Sequence, residues 1–128
     1  MGYYNSKTIK GRYKDVVEKT KGLLREEGFG IITSIDLKET LKQKLEVEYK
    51  NYTILGACDP KLAVRALQSD DKIGALLPCN VLVIDQGNES IEVAFIDVED
   101  SLGKLNNPEL NILAREVNNT FNRVLQKL

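Results

Sequence analysis

The sequence predicts an α+β domain: one mixed β-sheet with packed helices, in the order β-α-β-α-β-α-β-β-α. Three observations point there. Apolar residues recur with a helical period near both ends of the chain. Short β-branched runs lie between those helices. Turn and capping residues separate one run from the next. The chain has 128 residues, 42% hydrophobic and 29% charged, which is ordinary globular composition for a single α+β domain spanning 1–128. No linker, low-complexity tract or internal repeat divides it.

The elements follow in order. Tyr3 to Ile9 alternates as a strand, and Gly11 opens a helix. Tyr13, Val16, Val17, Thr20, Leu23 and Leu24 fall on one face of that helix, and Gly28 stops it. Phe29 to Ile35 reads as the second strand. Asp36 with Glu39 forms a capping box for a short helix carrying Leu37, Leu41 and Leu45. Lys50 to Cys58 is apolar on both faces, which suggests a central strand. Asp59-Pro60 then opens a helix, with Asp as N-cap and Pro at the first turn, where no N–H is required. Val81 to Ile84 and Ile91 to Ile96 form a hairpin around Asp85-Gln86-Gly87-Asn88. Asn107-Pro108 repeats the cap and starts a last helix that buries Leu110, Leu113, Ala114, Val117, Phe121, Val124, Leu125 and Leu128.

Composition excludes several chemistries. The chain has no histidine, which removes the commonest general base, the usual zinc ligand and every triad built on it. Two cysteines, Cys58 and Cys79, are too few for a disulfide framework and default to free thiols. The start is polar and lacks the apolar segment of a leader. No apolar run is long enough for a bilayer. The expectation is a cytoplasmic protein without membrane contact, so the sequons at Asn51, Asn88 and Asn118 are chance matches. Residues 1–25 hold seven Lys/Arg against two acidic residues, and the remainder is acidic. With no aromatic interleaving and no nucleic-acid motif, that basic stretch reads as a solvated helix face rather than a nucleic-acid site.

Three strings resemble one family. Gly28-Phe29-Gly30-Ile31-Ile32-Thr33-Ser34-Ile35-Asp36, Tyr52-Thr53-Ile54-Leu55-Gly56-Ala57-Cys58-Asp59-Pro60 and Leu76-Leu77-Pro78-Cys79-Asn80-Val81 are similar, taken together, to the prokaryotic domain of unknown function family 302. The likeness extends to Asn107-Pro108-Glu109-Leu110. It implies a compact α+β domain that pairs as a homodimer, and it implies no activity. One departure is Asp59, where relatives tend to have Asn; both cap a helix equally well, but Asp adds a negative charge beside any ligand.

Cys58 and Cys79 are the residues to which chemistry attaches. They become neighbours if their strands pair, and Cys58 precedes a helix N-terminus, which can depress a thiol pKa. Two thiols and a carboxylate fall short of a four-ligand zinc site, so no metal and no cofactor is expected. Gly28-Phe29-Gly30 lacks the rest of a phosphate loop. Asp97, Glu99 and Asp100 read as an acidic surface loop. No catalytic residue stands out. The sequence reading is therefore a non-enzymatic module, a homodimer binding a small ligand or a protein partner, with Cys58, Asp59, Cys79 and Asn80 as ligand-binding candidates. The alternative is a thiol-based redox or metal-handling protein using Cys58 and Cys79. The dimer follows from apolar strand residues on both sheet faces, which few helices can cover.

Overall fold

The computed structural model describes residues 2–128, so Met1 of the polar start lies outside it. Five strands form one sheet in the order β1-β5-β4-β3-β2: β1 (Tyr4–Lys10), β2 (Gly30–Asp36), β3 (Tyr52–Cys58), β4 (Cys79–Asp85) and β5 (Ser90–Ile96). All neighbouring pairs are antiparallel, so the expected mixed sheet is antiparallel throughout. Helices between strands suggested parallel crossovers. Instead α2 (Leu37–Leu45) and α3 (Pro60–Ser69) return the chain at the sheet end it has just left. Only α1 (Tyr13–Glu26) crosses the sheet, joining the two edge strands.

The caps form where the sequence places them. Asp36 accepts from Glu39 N at 3.1 Å, Asp59 from Lys61 N at 3.0 Å, and Asn107 from Glu109 N at 3.0 Å. The expected capping box is half formed, because the Glu39 carboxylate accepts from Gln43 Nε2 instead of reaching back to Asp36. The Asn107 cap starts α5 (Pro108–Lys127). Gly28, at φ +91°, ends α1 with Phe29 N bonded to Leu24 O and Gly28 N to Arg25 O, the paired bonds of a left-handed helix stop. A short 3-10 segment, Asp71–Leu76, follows α3. Residues 97–102 differ from the expected loop. Asp97 caps a short helix, α4 (Val98–Leu102), by accepting from Asp100 N.

One core lies on one face of the sheet. Leu55, Val81, Val83, Val93 and Phe95 point into it, met by Leu24 of α1, Ala66 of α3, Leu102 of α4 and Phe121 of α5. The short helix α2 buries no residue. Directly opposed residues of paired strands share a face, so the register also defines the second face. Ser6, Ala94, Leu82, Ile54 and Ile35 cross it in one row, and Thr8, Glu92, Ile84 and Tyr52 in another. Among these residues only Glu92 is charged.

Candidate functional site

Where β3 ends and β4 begins, the register sets Ala57 opposite Cys79. Cys58 follows, and Asp59 turns the chain into α3. The inner side of α3 brings Leu62, Ala63 and Ala66 over the sheet end, and Ile73 of the 3-10 segment and Leu77 just after it close over it. Leu102 and Ser101 of α4 and Leu113, Ala114 and Val117 of α5 complete the walls. Between them lies an apolar cavity of about 80 Å³. The physical reason for the space is side-chain size: Ala57, Ala63, Ala66 and Ala114 all face it. Interiors are normally close-packed, so the space reflects four alanines standing where larger side chains would fill it.

Cys58, Asp59 and Cys79, three of the four candidates, line this cavity. Asn80 does not. It is exposed and pairs with Gly56, because the alternation that turns Cys79 toward the core turns the next residue to the second face. The sequence reading missed Ser101 and the four alanines. A lone serine in an acidic stretch and alanines on helices and strands carry no local signal; only the fold assembles them.

Burial dominates the chemistry of both thiols. It raises the pKa of Cys79 from the ordinary 9.0 to about 11, with a smaller push from Cys58. Burial also raises Cys58, helped by the carboxylate of Asp59. The helix N-terminus does not win here, because burial outweighs it and the Asp59 carboxylate adds to the burial effect. Both thiols are therefore protonated at neutral pH, the unreactive form.

The consequence for stability has a definite sign. The folded state keeps the Cys79 proton up to about pH 11, whereas the unfolded chain releases it near 9.0. Stability is thus fully present below about pH 9 and lost as pH rises toward 11, by about 2–3 kcal/mol over that window. Denaturation of the natural protein and Cys79→Ala at pH 8 and pH 11 checks it: their stability difference should shift by that amount in favour of the alanine variant. A pH-independent difference would show that the thiol is not buried in this way.

The acidic cluster has a structural role. The Asn118 side chain, buried on α5, donates to Asp97 at 2.8 Å and to Glu99 at 3.1 Å. Its carbonyl oxygen accepts from Val98 N at 2.8 Å. The carboxylates thereby fix α4 against α5 and hold Leu102 and Ser101 at the cavity. Among the described residues, no group of three or more His, Cys, Asp or Glu is placed to hold a metal ion. Among the described residues, no helix is long and apolar enough to cross a membrane.

Fold and site together define a small α+β domain with an antiparallel sheet, helices packed on one face and an apolar cavity at one end of that sheet. The chain belongs to the family described as Domain of unknown function DUF302, whose model matches residues 5–128. The crystal structure of an uncharacterized conserved protein DUF302 from Bacillus stearothermophilus has the same fold. It matches with a TM-score of 0.89 and 23% identity over 98% of each chain. No curated protein matches the chain.

Proposed function

We propose that the protein is a non-enzymatic, cytoplasmic binding module that holds a small ligand in the cavity beside Cys58, Asp59 and Cys79. The cavity carries this reading. Its apolar walls and small polar margin have the composition of a ligand pocket, although its volume suits only a short apolar group. The protonated thiols weigh against the redox and metal-handling alternative, and free thiols suit a reducing compartment. Xenon is the cheapest probe, since it enters apolar cavities of this kind. Under xenon pressure, the methyl NMR signals of Leu62, Leu102 and Leu113 should shift ahead of those of core residues away from the cavity, such as Val83 and Val93. Unmoved signals at the three leucines would end the proposal.

The same proposal includes a homodimer formed through the second face of the sheet. That face is almost uncharged at its centre, and it leaves Tyr4 and Ile35 45% and 44% exposed. Five strands of seven residues, at about 4.8 Å between strands and 3.4 Å per residue, give it roughly 570 Å² before side-chain relief. That approaches the ~800 Å² per partner of a standard interface, and a two-fold dimer is the commonest way to bury such a face. Sedimentation equilibrium should return twice the 14.4 kDa chain mass at micromolar concentration. Ile54→Lys should return it to monomer while the protein remains folded. A concentration-independent monomer mass for the natural protein would refute the dimer.

A further inference from the structure

We infer that the cavity takes a short alkyl chain ending in an amine, and that Asp59 sets this preference; the inference rests on the cavity being a binding site. The walls are hydrocarbon and accept a chain without polar partners. Among the described residues, Asp59 is the single charged one lining the space. Its Oδ1 is engaged by the Lys61 N–H. Its Oδ2 has no hydrogen bond to a described residue, and no described Lys or Arg forms an ion pair with it.

A carboxylate ligand finds the opposite. Among the described residues, no lysine or arginine lines the cavity. The α3 N-terminus, which would otherwise attract an anion, is already taken up: Pro60 has no N–H, Lys61 N donates to the Asp59 side chain, and Ala63 N donates to the Asp59 carbonyl. An ammonium head at the cavity margin therefore meets a carboxylate with one oxygen free of hydrogen bonds to described residues. A carboxylate head meets repulsion, and the donors that line the space, the Cys58 and Cys79 thiols and the Ser101 hydroxyl, are neutral.

The test is calorimetric titration of the full chain with propylamine, 1-propanol and butanoate at neutral pH, for the natural protein and Asp59→Asn. Asparagine keeps the cap and removes only the charge. Propylamine should bind about three- to ten-fold tighter than propanol, as expected for a part-exposed charge pair, and butanoate weaker than both. The amine advantage should disappear in Asp59→Asn and shrink with added salt. Butanoate binding as tightly as propylamine, or an amine advantage that survives in Asp59→Asn, would overturn the inference. If xenon enters the cavity and none of the three binds, the inference fails and the cavity reading stands. If xenon is also excluded, both fail.

Discussion

Phe121→Ala is expected to lower the unfolding free energy by about 3–5 kcal/mol. Phe121 is the midpoint of a three-ring cluster, its centroid 5.1 Å from Phe29 and 5.0 Å from Phe95. Phe29 belongs to the turn after α1, Phe95 to β5 and Phe121 to α5, so the ring joins three distant segments. It is 2% exposed, and truncation opens a space that neither rigid neighbour can fill. Its loss also removes two aromatic contacts worth about 0.5–1.5 kcal/mol each beyond their area. Urea unfolding followed by far-UV circular dichroism measures the effect. A loss under 1 kcal/mol would mean that α5 is not docked through this ring.

Gly56→Val is expected to cost about 3 kcal/mol, the upper range for overpacking. Gly56 sits in a central strand, where glycine is usually a weakness. Here it makes room. A Cβ at this position would overlap Thr33 Oγ1 and stand 2.7 Å from Pro78 Cγ. Thr33 can rotate away, but the Pro78 ring cannot. The double variant Thr33→Ala with Gly56→Val should therefore recover only part of the loss. Full recovery would show that Pro78 yields, and an undiminished midpoint for the single variant would show that the approach is not close.

The sequence made the caps legible because capping is local chemistry. Asp36, Asp59, Asn107 and Gly28 each act within a few residues of themselves, and each acts as expected. Direction of pairing is not local. Nothing in residues 37–45 shows that α2 turns back at the sheet end, and so the antiparallel order was not readable. Helix α4 was hidden because its clamp, Asn118, lies far along the chain and looked only like a sequon. The cavity was half legible. Asp59-Pro60 marked its margin and Cys79 its floor, but four alanines become a space only after α3 and α5 are placed against β3. Asn80 was drawn in by adjacency in sequence, where strand alternation separates it.

The pairing of the first strand with the last also matters during synthesis. β1 is made early, yet its single neighbour in the sheet is β5, with Tyr4 opposite Ile96. At about 5–20 residues per second, a ribosome needs on the order of 4–17 s to supply that partner. Through this interval β1 is an unpaired strand, and its composition suits the wait. Asn5, Ser6, Lys7, Thr8 and Lys10 give it charge and polarity that discourage pairing with another nascent chain. The strand that completes the sheet is thus the one best able to remain in water until its place exists.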